Sequence, residues 1–145
     1  MDKFLIRRLR REDTEEIAGI QAAIIKKPVD GDYINVVEEQ SRKMEDASFV
    51  AEIQGKVVGF MISYILSGGF GIEKSAWIAM LGVDPKYMGR GIGKKLAEEI
   101  FRFYSERNIK HIYTSVRWDS VDLLSFFKTL GFDRSNFINL RKVLD

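Results

Sequence analysis

A glycine-rich turn between a predicted strand and a predicted helix is the part of this sequence best suited to chemistry. It reads Met88-Gly89-Arg90-Gly91-Ile92-Gly93-Lys94. A helix that begins in such a turn directs several unpaired backbone N–H groups, and the positive end of its dipole, at one point. Phosphate groups bind at such points, and glycines let the backbone approach them closely. The turn therefore predicts an anion-binding site.

The charges around the turn agree with this interpretation. Arg90, Lys94 and Lys95 lie at or next to the predicted helix start. Cations at that end oppose the helix dipole by roughly 0.3–1 kcal/mol each, so an anion held among them would account for their position. A solvated basic turn, whose glycines serve geometry alone, is the alternative.

Two widespread phosphate-binding motifs do not fit the turn. The Walker pattern needs a glycine where this chain has Met88, and a hydroxyl residue where it has Lys95. The dinucleotide fingerprint fits Gly89 and Gly91 but has Lys94 at its third glycine position. Neither a P-loop nor a Rossmann site is therefore predicted.

The spacing instead resembles the coenzyme loop of the GNAT N-acetyltransferases, Gln/Arg-x-x-Gly-x-Gly/Ala, except that Met88 replaces its first residue. The lead-in from Leu81 to Tyr87 also looks like that family, as does the later stretch from Leu123 to Phe132. The element order is consistent with the family from Phe4 to Leu144, which is nearly the whole chain. The resemblance implies a single domain, residues 1–145, that transfers an acetyl group from acetyl-CoA to an amine.

The resemblance also assigns cofactor-binding roles. The backbone amides of Met88 to Lys94 would hold the pyrophosphate of coenzyme A, and the main chain of Leu81 and Val83 would pair with the pantetheine arm. Gly82 fits the strand bulge that separates two parallel strands in this family. Phe127 and Lys128 of the later stretch, and Ser120 just before it, would also contact the cofactor.

The catalytic residues are less well defined. Phe127 stands where many members carry the tyrosine thought to protonate the leaving thiolate, and Trp77 stands where some carry a strand glutamate. Glu73 and Asp119 remain candidate bases, although a solvated charge and a helix cap are their structural alternatives. Tyr113 is the candidate acid, with Tyr104 as a second choice and the hydrophobic core as the alternative for both. His111 is a weaker candidate.

The elements that must position these residues follow from hydrophobic periodicity and turn signals. We expect an α/β fold with a mixed central sheet of six or seven strands and about four flanking helices. The family resemblance further implies one splayed pair of parallel strands in this sheet. Asp13 and Glu16 would form the capping box of the first helix. Predicted strands are Phe4–Ile6, Ser48–Ile53, Val57–Leu66, Ser75–Val83, Ile109–Val116 and one or two after Phe132, of which 137–144 is the clearest. Predicted helices follow Asp13 as far as Pro28 and then cover 33–44, 93–107 and 120–130.

Composition excludes several classes of protein. The chain has no cysteine and one histidine, so disulfides, thiolate catalysis and histidine-rich metal sites are excluded, and we expect no metal cofactor. A net charge of +2 does not favour a nucleic-acid or membrane partner. The charged N-terminus does not read as a signal peptide, and the longest apolar run, Val57 to Leu66, is too short to span a bilayer. We therefore expect a soluble cytoplasmic protein.

The acceptor and the competing functions stay open. By the resemblance, Pro28–Tyr33 and Ser67–Lys74 would hold the amine, with Asp30, Asp32 and Glu73 attracting its charge; a simple turn is the alternative for the two aspartates. Gly68, Gly69 and Gly71 suggest a loop that moves when substrate binds. A coenzyme-A-binding sensor without turnover, and a nucleic-acid-binding domain that uses Arg7 to Arg11, are the other hypotheses. Exposed edge strands would permit a homodimer.

Overall fold

The computed structural model describes residues 3–67 and 73–145. The chain divides into two compact units, Met1–Thr114 and Ser115–Asp145. The first unit contains a five-stranded sheet in the order β1-β2-β3-β4-β5, with every neighbouring pair antiparallel except the parallel pair β4–β5. Its strands are β1 Leu5–Arg8, β2 Ser48–Ile53, β3 Lys56–Leu66, β4 Ser75–Val83 and β5 Ile112–Thr114.

The described residues form four α-helices, as predicted. They are α1 Thr14–Ile25, α2 Gly31–Ser41 and α3 Ile92–Ser105 in the first unit and α4 Val121–Thr129 in the second. Short 3-10 turns, Arg11–Asp13 and Pro85–Tyr87, precede α1 and α3. The mixed α/β architecture is therefore confirmed. No helix in the described ranges is long and apolar enough to cross a membrane.

The predicted strand number is wrong. Five strands, not six or seven, form within residues 3–67 and 73–145, because the chain after Phe132 makes no ladder. The predicted strand at 137–144 has no regular structure, and β5 covers three residues instead of Ile109–Val116. A strand exists only where a neighbour completes its hydrogen bonds, and β5 ends the described sheet without one on its outer side.

The start of α1 also differs from the prediction. Asp13 makes no side-chain cap for α1; its carboxylate accepts from the Arg7 guanidinium at 2.8 and 2.9 Å and from the Arg10 N–H at 2.7 Å. Glu16 accepts from the Val57 N–H at 2.9 Å instead of closing a capping box. Both carboxylates are therefore used to fasten α1 to the sheet.

The same contacts bear on the cluster Arg7 to Arg11. Arg7 also pairs with Glu52 at 2.8 Å, and these carboxylates raise the pKa of its guanidinium. Arg8 donates to the carbonyl of Asp46 at 2.9 Å and lies over the ring of Phe103. Two of the arginines thus serve internal packing, which weakens the case for a nucleic-acid surface.

The sheet is covered on both faces. One face holds a core cluster to which α1 and α2 contribute Ile17, Ile20 and Val37. Across the sheet, α3 buries Leu96, Ala97 and Ile100. At the start of α2, Asp30 caps the helix by accepting from the Tyr33 N–H at 2.9 Å, which favours the simple turn over an acceptor-binding role.

Candidate active site

A β-bulge in β4 marks the candidate site. Ile62 pairs with Met80 and Ser63 pairs with Ile78, so Ala79 is an extra residue on β4. The parallel pairing with β5 covers Ala76 to Ile78 and stops directly before that extra residue. Within the described residues, the edge of β4 from Ala79 to Val83 therefore has no strand on its β5 side.

Gly82 is not the bulge that the sequence predicted. It stays in register opposite Phe60, and a Cβ placed on it would lie 2.8 Å from the Phe60 ring and 3.0 Å from Cδ1 of Ile24. The glycine is needed because a side chain from the neighbouring strand fills its space. The bulge falls at Ala79, whose small side chain is exposed.

The turn that follows β4 is built by local hydrogen bonds and two left-handed glycines. Asp84 accepts from the Lys86 N–H at 3.0 Å, while its own N–H donates to Val58 O at 2.8 Å. Gly89 and Gly91 have φ of 80° and 79°, a region that other residues enter only with strain. Gly91 is the N-cap of α3, so the turn delivers the chain directly into the helix.

A close approach to β3 fixes the first turn of α3. Ile92 is buried, and its Cγ2 would be 2.9 Å from a Cβ on Gly59. Any larger residue at Gly59 would push the helix start outward. The N–H groups of the first turn have no acceptor inside the helix, so they face outward beside the open edge of β4.

The charges at this helix start suit an anion. The first turn of α3 contains no acidic residue, while Lys94 is exposed and Lys95 lies 3.9 Å from Glu98. The Arg90 guanidinium lies 5.0 Å from the centre of the Tyr87 ring, and Lys56 Nζ lies 5.8 Å from it. Sequence reasoning missed Lys56, because only the fold of the β2–β3 hairpin brings it to this loop.

Aromatic and polar side chains line the α1–α2 face of the sheet beside the bulge. Trp77 pairs with Tyr64, which lies two residues beyond core-facing Ile62, so Trp77 is on that face. Its ring stacks on Tyr113 with centroids 4.9 Å apart, and its buried Nε1 has no hydrogen-bond partner among the described residues. The buried hydroxyl of Tyr33, beside the same core cluster, also lacks a partner within 3–67 and 73–145.

Burial of the Tyr33 phenol raises its pKa to about 12. It therefore stays neutral near pH 7 and can only donate or accept a hydrogen bond there. Buried polar groups without partners are uncommon, and some of them serve ligands. Tyr33 ends the predicted acceptor segment Pro28–Tyr33, but the burial of its hydroxyl could not be predicted, since it depends on how α2 packs.

The predicted catalytic residues differ in their surroundings. Glu73 is exposed, two residues before β4, and the neighbouring loop glycines Gly68, Gly69 and Gly71 lie outside the described residues. Tyr113 lies on β5 against Trp77, and exposed His111 stacks beside it at 6.4 Å. Tyr104 is fully buried and bonded, which leaves it no access to a substrate.

Asp119, in the second unit, is exposed and makes two 3.0 Å hydrogen bonds with Arg117. That guanidinium holds the pKa of the Asp119 carboxyl below its ordinary value, which makes it a weaker base. The N-cap of α4 is Ser120 rather than Asp119. The helix-cap alternative for Asp119 is therefore wrong.

The other cofactor residues predicted in the second unit lie along α4. Phe127 is buried between the rings of Phe126 and Phe132, at 5.2 and 5.1 Å, while Lys128 is exposed in the last turn. Leu81, Gly82 and Val83, by contrast, adjoin the loop from Met88 to Lys94 in the first unit. The structure therefore brings together the strand and loop predictions.

Two further observations limit other kinds of site. A cavity of about 480 Å³ lies along α1 and α2, and none of its lining residues belongs to the predicted site. In the described ranges, no group of three or more His, Cys, Asp or Glu residues is placed to hold a metal ion.

Known proteins share both sequence and fold with this chain. The mycothiol acetyltransferase of Amycolatopsis mediterranei (strain U-32) is 33% identical over 93 residues, which are 62% of this chain and 31% of that protein. The mycothiol acetyltransferase of Acidothermus cellulolyticus is 28% identical over 137 residues, 83% of this chain and 41% of that protein. This chain thus spans less than half the length of either relative.

Among solved structures, the aminoglycoside N-acetyltransferase AAC(6')-Iy in complex with CoA has a TM-score of 0.81 at 18% identity, covering 99% of this chain and 96% of that chain. A possible acetyltransferase from Clostridium difficile 630 has a TM-score of 0.82 at 19% identity, covering 98% of both chains. At these identities the likeness concerns the fold.

The family itself is settled by sequence. A model of the acetyltransferase (GNAT) family matches residues 7–132, which include the bulged strand, the glycine turn and α4. The chain therefore belongs to the acetyltransferase (GNAT) family.

Proposed function

We propose that this protein is an N-acetyltransferase that moves an acetyl group from acetyl-CoA to a primary amine. The observation that carries the proposal is the path from β4 through left-handed Gly89 and Gly91 into α3, whose first turn bears lysines and no acid. That donor set fits a diphosphate, and the open edge of β4 beside it offers backbone groups to an extended ligand arm. Family membership supports the same activity.

Acetyl-CoA would supply an activated acyl group as a thioester. In the proposed step the amine lone pair attacks the carbonyl carbon, a C–N bond forms, the C–S bond breaks and the amine loses one proton. The amides from Met88 to Lys94 would hold the diphosphate, and Leu81 and Val83 would align the arm along β4. Ser120 and Lys128 of α4 remain proposed contacts of the cofactor.

The leaving group does not require the missing tyrosine. A thiol of ordinary pKa, near 8.5, leaves as thiolate at modest cost around neutral pH. A positioned acid typically contributes about 10²–10⁴-fold. Phe127 has no proton to donate, so catalysis would be slower than with an acid at this position, but it would not be abolished. If Tyr113 donates the proton instead, this loss of rate would not occur.

The acceptor side favours an amine that loses its proton easily. A lysine amine, pKa near 10.4, costs roughly 4–5 kcal/mol to neutralise at pH 7, whereas an α-amine near 8 costs about 1–1.5 kcal/mol. Trp77 occupies the strand position where some relatives carry glutamate, and a ring cannot accept a proton. Glu73 and Asp119 are both exposed, and Asp119 is already paired. We therefore propose a small molecule or peptide with a low-pKa amine.

The setting of the protein belongs to the same proposal. We propose a single cytoplasmic domain that uses no nucleic acid or membrane partner and forms a homodimer. The internal use of Arg7 and Arg8 supports the absence of a nucleic-acid partner.

Calorimetry with acetyl-CoA and CoA tests the cofactor site. We compare the wild type with Gly91→Glu, which places an anion in the turn, and with Gly55→Glu as a matched control. Gly55 has φ of 81° and open space around it, like Gly91, but lies in the β2–β3 hairpin. Because strain at a left-handed residue costs about 1–2 kcal/mol in both variants, only the added repulsion separates them.

Binding that Gly91→Glu weakens by about tenfold or more, and Gly55→Glu leaves intact, supports the proposal. Absence of binding by folded wild type would contradict it. If acetyl-CoA binds but neither α-amine nor lysine peptides are acetylated, the result would contradict the enzyme and favour a non-catalytic sensor. A strong preference for lysine would contradict the proposed acceptor class alone.

A further inference from the structure

Three buried side-chain atoms in the described ranges have no hydrogen-bond partner. They are the hydroxyl oxygens of Tyr33 and Ser75 and Nε1 of Trp77. Ser75 and Trp77 are two residues apart on β4, so both lie on the α1–α2 face, against which Tyr33 packs from α2. Folded proteins leave few buried polar groups unpaired, because each one costs free energy. Their gathering on one face indicates that this face binds a polar ligand.

Trp77 lies nearest to the point of the proposed reaction. It comes two residues before Ala79, where the pairing of β4 with β5 ends. A strand rises about 3.3 Å per residue, so the opening begins about 7 Å along the strand from Trp77. Trp77 is partly exposed, whereas Ser75 is 1% exposed. An amine that approaches the opening from the α1–α2 face would therefore pass the indole.

The chemistry of these unpaired groups selects an uncharged oxygen rather than a cation. An indole N–H can only donate a hydrogen bond. The phenol of Tyr33, whose pKa burial raises to about 12, carries no charge near pH 7 either. The nearby carboxylate of Asp30 already accepts from the Tyr33 N–H at 2.9 Å. A ligand that satisfies the indole must therefore present an oxygen that accepts a hydrogen bond.

The place of that oxygen in the acceptor follows from the same geometry. Because the indole borders the opening, the oxygen must lie close to the amine that reacts there. An oxygen on the carbon next to the amine-bearing carbon also withdraws electrons from the nitrogen and lowers the pKa of the amine. An α-amine, which has a carbonyl at that place, has a pKa near 8, compared with about 10.4 for a lysine side chain. One atom would thus both bind the indole and make the amine easy to neutralise.

We propose that Trp77 is a specificity-determining residue, whose indole N–H binds an uncharged oxygen on the carbon next to the amine-bearing carbon of the acceptor. The inference rests on the proposed acetyl transfer and adds which amines the site prefers. Amino-acid amides and 2-amino sugars both contain this N–C–C–O unit. The hydrogen bond orients the acceptor so that the amine lone pair faces the thioester, and the indole exchanges no proton.

Steady-state kinetics with three acceptors test the role of the indole N–H. Glycinamide and glucosamine contain the N–C–C–O unit, whereas prop-2-ynylamine is also a weakly basic amine but has no oxygen. Trp77→Phe keeps a ring beside Tyr113 and removes the N–H. It should lower kcat/KM for the preferred oxygen-bearing acceptor by about 10- to 100-fold and for prop-2-ynylamine by less than about threefold. Whichever of glycinamide and glucosamine the wild type prefers identifies the source of the unit.

The same substitution at the other tryptophan is the matched control. Trp118 is 86% exposed and lies in the second unit, so Trp118→Phe should leave all three rates unchanged. The chain has two tryptophans, and this variant therefore keeps Trp77 as its only one. With CoA bound, the preferred oxygen-bearing acceptor should change the fluorescence emission of Trp77, and prop-2-ynylamine should not. This measurement needs no turnover and does not depend on whether Trp77→Phe folds.

The outcomes separate this inference from the proposed function. If the wild type acetylates amines but Trp77→Phe lowers kcat/KM equally for all three acceptors, or for none, the inference is overturned and the enzyme stands. If the wild type acetylates no amine, the proposed function is contradicted, and the emission of Trp77 decides the inference. Unchanged emission with both glycinamide and glucosamine overturns it.

Discussion

The two faces of the central sheet differ in how completely their buried polar groups are hydrogen-bonded. On the α3 face, the buried hydroxyl of Tyr104 accepts from the Ala47 N–H at 2.9 Å and lies 2.7 Å from Ser63 Oγ. On the α1–α2 face, the buried hydroxyl of Tyr33 and Nε1 of Trp77 have no hydrogen-bond partner in the part of the chain that the structure describes. Ile24 of α1, beside Gly82, remains 41% exposed.

The difference shows where the molecule is complete without a ligand. A face whose polar groups are all paired gains nothing from a further molecule, and it serves stability. A face with unpaired donors and exposed apolar groups beside an open strand edge favours substrate binding, because a bound substrate can accept those hydrogen bonds and cover the apolar groups. We therefore expect the acceptor to bind on the α1–α2 face, and substitutions on the two faces should have different effects.

The largest expected effect is on the α3 face. Leu96→Ala removes a fully buried side chain and should lower the free energy of unfolding by about 2–5 kcal/mol. Ile24→Ala, at the rim of the other face, should lower it by about 1 kcal/mol or less and act mainly on kcat/KM. Urea unfolding and steady-state kinetics on both variants measure this. If Leu96→Ala and Ile24→Ala lower the free energy of unfolding equally, the proposed difference between the two faces is wrong.

The two buried phenols give the next comparison. Tyr104→Phe leaves the buried Ala47 N–H without an acceptor and should cost about 1–3 kcal/mol. Tyr33→Phe removes a hydroxyl that has no hydrogen-bond partner among the described residues, so stability should hold or rise by up to about 1 kcal/mol. Denaturant unfolding of the two variants measures both changes. A substantial loss in Tyr33→Phe would mean that its hydroxyl is already used within the fold.

The smallest expected effect concerns alkaline pH. Burial raises the pKa of Tyr33 to about 12, whereas an unfolded tyrosine loses its proton near pH 10. The unfolded state therefore binds fewer protons between these values, so this contribution to stability is complete below about pH 10 and declines as pH rises toward about 12. Tyr33→Phe should flatten that decline relative to the wild type in urea unfolding at increasing pH. If the wild type and Tyr33→Phe show identical pH profiles, the Tyr33 phenol is solvated in the folded state.

Local patterns predicted the glycine turn and most of the elements around it. β4 begins and ends where predicted, at Ser75 and Val83, because turn signals bound an apolar run. α3 starts one residue before its predicted start, since its apolar spacing defines a buried face. The glycine turn keeps its left-handed residues, which the sequence marks by their type.

Features that depend on tertiary partners could not be predicted in this way. Asp13 has the spacing of a cap, but Arg7 from β1 competes for its carboxylate. A strand glycine indicates either a bulge or a close approach, and only the position of Phe60 shows that Gly82 is the second kind. The apolar pattern of residues 137–144 predicts a strand, but the pattern does not show whether a neighbouring strand is present to pair with it.

The bulge at Ala79 makes the opening in the sheet depend on chain length rather than on any side chain. Ile78 already pairs with Ser63 and Met80 with Ile62, so loss of Ala79 alone would leave every other partner of β4 in place. Substitutions at this position preserve the count of residues and hence the opening. Loss of a single codon would instead allow β4 to continue straight along β5. Deletion of one residue could thus remove the proposed cofactor site in a single evolutionary step while the fold stays intact.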